Sequence, residues 1–320
     1  MINLTQRPSV LKSALQYLKV NKPVIAYIFF SNYFYGLCAI ALSIEASLQQ
    51  RIPLNSISFY IFIFSITALY YTKAYITEKR TNRSNPRSEW YWENKNFVIG
   101  SQIMLTAIAV IYPGILFYKH YQFILHLPSL IWMLLLIFPF IAALYYGINH
   151  PLLRKYNLRN IGWLKPLIIG FVWAGLVNIY PMMFYNIEHE LVYVPDIIGI
   201  LLFIKNFMFV TVLCIMFDIK DYAADHNLQL KTFVVKAGLR KTIFLILIPL
   251  SLLGLSSFIL FGIIRHFSVL KIALNVIPFL LLIMVAYSLH KRKSIFYYLI
   301  VIDGLMLVKA ICGIFAMTFG

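Results

Sequence analysis

Long apolar runs separated by short basic segments dominate the chain. Nine such runs can be marked, at roughly 23–46, 54–75, 97–118, 127–147, 163–184, 195–217, 242–265, 269–289 and 295–317. Each is about 20 residues, enough for a helix to cross a ~30 Å hydrocarbon core. Water is absent at that depth, so each span must satisfy its own backbone hydrogen bonds, and the pattern predicts a helical bundle. Residues 1–22 read differently. Arg7, Lys12, Lys19 and Lys22 alternate with Val10, Leu11, Leu15 and Leu18, which predicts a short amphipathic helix on the cytoplasmic face. The apolar run that follows is too long for a cleavable signal and lacks a small-residue cleavage site.

Composition agrees with the pattern. The 320 residues are 61% hydrophobic with a mean hydropathy of +0.80, which places the chain among polytopic membrane proteins and predicts one all-α integral membrane domain, 1–320. The 28 Lys and Arg against 11 Asp and Glu would suggest nucleic acid in a soluble protein. In a membrane protein, the excess points to the positive-inside rule and to anionic headgroups or diphosphates, with no nucleic-acid partner. Under the nine-span count, the N-terminal segment and the 2–3, 4–5, 6–7 and 8–9 loops hold 22 Lys and Arg, and the opposite side holds 4. That asymmetry puts the N-terminus in the cytoplasm and the C-terminus outside, in the cell inner membrane. The long cytoplasmic loops are then 76–96 and 218–241. Cys38, Cys214 and Cys312 all sit in apolar runs without a C-x-x-C partner, so no disulfide framework or zinc site is implied.

The densest chemistry is Asp218-Ile-Lys-Asp221-Tyr-Ala-Ala-Asp225, where the sixth run leaves the lipid. Only five Asp occur in the chain, and three fall inside these eight residues. Their i, i+3, i+7 spacing puts them within a ~60° arc of one helix face. Crowded carboxylates repel one another unless a cation sits between them, and hard oxygen ligands suit Mg²⁺. The residues alone leave a solvated acidic loop as the other reading.

Phe217-Asp-Ile-Lys-Asp-Tyr-Ala-Ala-Asp225, followed by Leu230-Lys-Thr-Phe-Val-Val-Lys-Ala-Gly238, resembles the second Asp motif of the UbiA superfamily of intramembrane prenyltransferases. Leu158-Arg-Asn-Ile-Gly-Trp-Leu-Lys165, leading to Trp173, is similar to that family's approach to its fifth helix. The resemblance implies a nine-transmembrane-helix bundle with Asp-rich motifs after helices 2 and 6. It implies Mg²⁺ ions holding a polyprenyl diphosphate and an allylic cation attacked by an aromatic or other electron-rich acceptor. Metal ligands would be Asp218, Asp221 and Asp225, with Asp218 and Asp221 essential to turnover.

The chain departs from the family at the first motif. The matching region, Tyr70 to Arg87, contains no Asp, and none occurs before Asp196. Glu78, Glu89 and Glu93 are out of register. What remains is basic: Lys73, Lys79, Arg80, Arg83 and Arg87. Either Arg forks hold the diphosphate directly, or half of the site is gone. Arg83, Arg87 and Lys231 are therefore the candidate diphosphate contacts. Lys205, deep inside the sixth run, is expected to line the central cavity or to be a paired structural lysine. Asp303 and Lys309 share the last run but lie about 120° apart around it, so direct pairing is not expected. Asn32 is expected in a helix–helix hydrogen bond. The outer loop with Glu188, His189, Glu190 and Asp196 is expected to be solvated rather than to hold a metal. The alternative function is a non-catalytic membrane subunit or scaffold that binds lipid or partner proteins. A transporter is weaker, since no pair of Gly/Pro-broken spans is visible.

Overall fold

A computed structural model describes residues 27–76, 86–146, 161–227, 229–291, 293–294 and 297–319. The N-terminal amphipathic segment, Arg83 and Glu78 lie outside the described residues. Every regular element among the described residues is helical. In chain order these are α1 (Tyr33–Gln50), α2 (Ile57–Ile76), α3 (Pro86–Glu93), α4 (Lys95–Leu125), α5 (Ser129–Tyr146), α6 (Lys165–His189), α7 (Ile197–Asn227), α8 (Phe233–Ala237), α9 (Leu239–Ile264), α10 (Val269–Ser288) and α11 (Tyr297–Phe319). Among the described residues, six helices are long and apolar enough to cross a membrane: α4, α6, α7, α9, α10 and α11. Shorter apolar stretches, Ile57–Lys73 and Ser129–Tyr145, run through α2 and α5.

The exterior matches lipid. Ile103, Val110 and Ile111 on α4 are 57–67% exposed, an outward face that water would not tolerate on this scale. The interior is packed around α7, which lies against α6 and α9; α11 joins α1 to α10, and α2 joins α1 to α4. Close approach depends on small residues. A Cβ at Gly170 of α6 would collide with Thr211 of α7 and come to 3.0 Å from the Phe207 carbonyl.

Charge is buried in the middle of this packing. Glu45 on α1 accepts from Lys205 Nζ of α7 at 2.9 Å and from Lys309 Nζ of α11 at 2.6 Å. Lys205 also donates to Gln49 at 2.6 Å, and Gln49 donates to Asn275 of α10 at 2.9 Å. All five side chains are buried. In hydrocarbon an isolated charge is costly, so the carboxylate and the two ammoniums fix one another and tie four helices together. A Cβ at Gly313 of α11 would strike the Glu45 side chain. Lys205 is thus a paired lysine in this cluster, and it does not line the cavity described below. Lys309 pairs with Glu45 and not with Asp303.

The expected outcome of Glu45→Ala, which strands two buried ammoniums, is a loss of about 3–5 kcal/mol. Gly313→Ala should also destabilise. Unfolding in detergent micelles checks both, and a melting curve unchanged by Glu45→Ala would contradict the role given to this cluster.

Candidate functional site

The long α7 carries the site. Its 31 residues extend for about 46 Å, more than the hydrocarbon thickness, so its last turns leave the apolar layer. Asp218, Asp221 and Asp225 all lie on this continuous helix, but their surroundings differ. Asp218 is fully buried, and its Oδ1 accepts from Lys165 Nζ at the start of α6 at 3.0 Å. Asp221 is partly exposed and pairs with its neighbour Lys220 at 3.2 Å. Asp225 is buried, and burial pushes its carboxyl above the usual range, with Lys165 drawing it down and Asp221 pushing it up. Among the described residues, Asp218 Oδ2 and Asp225 Oδ2 have no hydrogen-bond partner.

A cavity of about 240 Å³ opens beside this stretch, lined from α1, α2, α3, α5, α6, α7 and α11. Its charged lining is Arg87, Lys165, Lys220, Asp221 and Asp303. Its aromatic lining is Tyr35, Tyr71, Tyr75, Tyr145, Trp173 and Phe217, and Ile169, Val210, Leu213 and Met306 add apolar wall. Asp218 and Asp225 do not reach the lining.

Each polar wall group is held in place. Asn32, in the left-handed conformation that Asn tolerates, breaks the helix ahead of α1. At the break the Phe29 carbonyl accepts from the Asn32 amide at 3.3 Å and the Phe30 carbonyl from Tyr91 OH at 2.7 Å, and Arg87 Nη2 donates to both at 3.1 and 3.2 Å. Arg87 also bonds to the Asn32 side chain and to Tyr75 OH, and lies 4.1 Å from the Tyr75 ring centre. Asn32 Nδ2 donates to Thr72 of α2 and to Tyr91 of α3, the interhelical bonding its sequence position suggested. On the far wall, the π-helical turn Tyr297–Ile302 ends at Asp303, whose Oδ2 accepts from Tyr35 OH at 2.8 Å. The Tyr35 ring stacks on Tyr71 at 4.4 Å, and Trp173 Nε1 donates to Tyr71 OH at 2.6 Å. Three helices thereby present a linked aromatic wall.

Of the residues singled out from sequence, Arg87, Trp173, Asp221 and Asp303 line this cavity. Lys231 is exposed on the loop after α7 and lies off the lining. In the loop between α6 and α7 and beside it, Glu188 accepts from Ser56 and Tyr112, Glu190 faces His120, and Asp196 caps the Gly199 amide. Sequence reasoning missed Lys165 as a site residue because it counted as one more basic loop position. It missed Tyr35 because aromatics are abundant, and a signal for Lys220 was available in its place between two acids.

The described carboxylates do not fit the two-ion arrangement expected from the family resemblance. Among the described residues, no three His, Cys, Asp or Glu side chains come together as a metal-binding group. Asp218 is already held by an ammonium, and neither it nor Asp225 lines the cavity.

The class defined so far is a polytopic helical membrane bundle with a charged, aromatic-walled cavity. A solved structure of digeranylgeranylglyceryl phosphate synthase has a similar fold, with a TM-score of 0.55 and 13% sequence identity, covering 92% of this chain and 99% of that one. The likeness is one of fold. No family model matches the sequence, and no curated protein matches it.

The Lys165–Asp218 pair gives a test of site integrity. Lys165→Met strands a buried carboxylate and should cost on the order of 3 kcal/mol, while adding Asp218→Asn should recover much of that loss. A double-mutant cycle in micelles reads the coupling, and additive effects would contradict the pairing.

Proposed function

We propose that the chain is a UbiA-like prenyltransferase acting on an isoprenoid diphosphate. The observation that carries this reading is the cavity: cations gather at the end where α7 leaves the lipid, and linked aromatics line the wall beside them. Similarity of fold to digeranylgeranylglyceryl phosphate synthase supports it. Charged and aromatic groups in one preformed hollow suit a ligand with an anionic head and an apolar body. The cavity volume, about 240 Å³, suits the diphosphate and first isoprenoid carbons, and a longer tail would pass between helices toward lipid.

In this reading Arg87, Lys165 and Lys220 hold the diphosphate. The allylic C1–O bond breaks, its electron pair leaves with the diphosphate, and fixed positive charge stabilises the departing anion. Tyr35, Tyr71 and Trp173 flank the allylic cation, whose charge is attracted to ring faces. The acceptor's electron-rich atom forms the new bond to C1 and then loses its proton. The Mg²⁺ expected at Asp218, Asp221 and Asp225 is not part of this proposal, given how those carboxylates are disposed. We propose nine membrane crossings with the N-terminus in the cytoplasm of an inner membrane, from the Lys/Arg asymmetry.

One observation favours a second reading, a non-catalytic subunit that binds lipid or partner proteins. The carboxylates do not converge on the cavity.

Protein in lipid nanodiscs, given labelled prenyl diphosphate and a panel of aromatic and lipid acceptors, should release diphosphate and form a prenylated product. Arg87→Gln should lower the rate by ~10²–10³. An intact donor under all acceptors, together with partner co-purification that survives Arg87→Gln, would favour the second reading. Separately, a reporter fused to the N-terminus should be active only in the cytoplasm, and activity on the other side would overturn the topology.

A further inference from the structure

We propose that the cavity binds the diphosphate group through side-chain cations alone, without a divalent ion, with Lys165 as the principal contact. This rests on the isoprenoid-diphosphate reading above.

The first argument is that the carboxylates around the cavity already have partners. Asp218 is held by Lys165 at 3.0 Å, Asp221 by Lys220 at 3.2 Å, and Asp303 by Tyr35 at 2.8 Å. A divalent ion is drawn to carboxylates whose charge is not compensated. To reach Asp218 it would have to enter a fully buried position and sit against an ammonium of the same sign. Asp218 Oδ2 and Asp225 Oδ2 are free buried oxygens, but both residues lie off the cavity lining, and Asp218 already holds the Lys165 ammonium on its other oxygen.

The second argument concerns the donors left over. An ammonium carries three N–H groups. Among the described residues, Lys165 spends one on Asp218, and its side chain is 29% exposed where it lines the cavity. Two donors therefore remain for a ligand. Lys220 lines the same space with its side chain 30% exposed. Arg87 completes the set as a fixed positive charge, positioned by the Phe29 and Phe30 carbonyls, Asn32 and Tyr75. Phosphate bound by charge-assisted N–H bonds needs such preset donors. The acids then act as orienters: Asp218 aims Lys165, and Asp221 restrains Lys220.

The test uses the full chain in detergent, titrated calorimetrically with geranylgeranyl diphosphate and with inorganic pyrophosphate. Each titration is run once in EDTA and once with excess Mg²⁺. The expected result is equal affinity in both buffers, with pyrophosphate separating the head's contribution from the tail's. Lys165→Gln combined with Asp218→Asn, a pair that leaves no stranded carboxylate, should weaken binding about tenfold, the worth of one charge-assisted bond. Binding that requires Mg²⁺ overturns the inference and leaves the prenyl-diphosphate reading standing. No binding in either buffer overturns both. Metal-independent binding that ignores the double substitution, in protein that melts like the parent, overturns the assignment to Lys165.

Discussion

A charge placed inside a bilayer must be compensated where it stands, because neither water nor salt is there to screen it. Two pairings in this protein meet that constraint. Glu45 lies between Lys205 and Lys309 in the middle of the bundle, and Asp218 closes on Lys165 near the membrane boundary. The first joins α1, α7, α10 and α11 through one polar cluster. The second fixes the start of α6 against α7 and thereby sets one wall of the cavity. Architecture and candidate site are two consequences of the same requirement.

The cavity gains its character from small local irregularities. Asn32 interrupts a helix, and Arg87 shares the Phe29 and Phe30 carbonyls there with the Asn32 amide and Tyr91 OH, so a guanidinium is held at the wall. A π-helical turn before Asp303 brings a carboxylate against Tyr35, and Tyr35 stacks on a tyrosine bonded to Trp173. π-Bulges recur at functional positions in helices. Here one serves to set the register of the last helix so that its acid meets an aromatic wall rather than lipid.

Much of the fold was legible from hydropathy, because lipid enforces helices of a narrow range of lengths. The acidic spacing after residue 217 suggested a helix, and α7 does continue through it to Asn227, though its three acids meet different surroundings; the depth of Lys205 marked it as a residue that must be paired or wet. Its partner was harder to see. Glu45 is one acid in a long apolar run, and nothing local says that it meets lysines some 160 and 264 positions away. Lys165 was hidden for another reason: a basic residue beside a span is what membrane orientation requires anyway. Asp218 lies off the cavity lining where α6 packs on α7 and Lys165 holds it, and spacing along a helix does not encode that packing. Family resemblance supplied a metal; the disposition of these carboxylates supplies ammoniums.

The central claim is that fixed cations, with acids behind them, do the work of binding the anion. An experimental structure with a non-hydrolysable prenyl diphosphate analogue, prepared in EDTA and again in Mg²⁺, tests it most directly. The account expects phosphate oxygens at hydrogen-bond distance, ~2.7–2.9 Å, from the Lys165 ammonium in both preparations, with Lys165 still on Asp218. Octahedral density bridging Asp218, Asp221 and the phosphates, with Lys165 displaced, would contradict it.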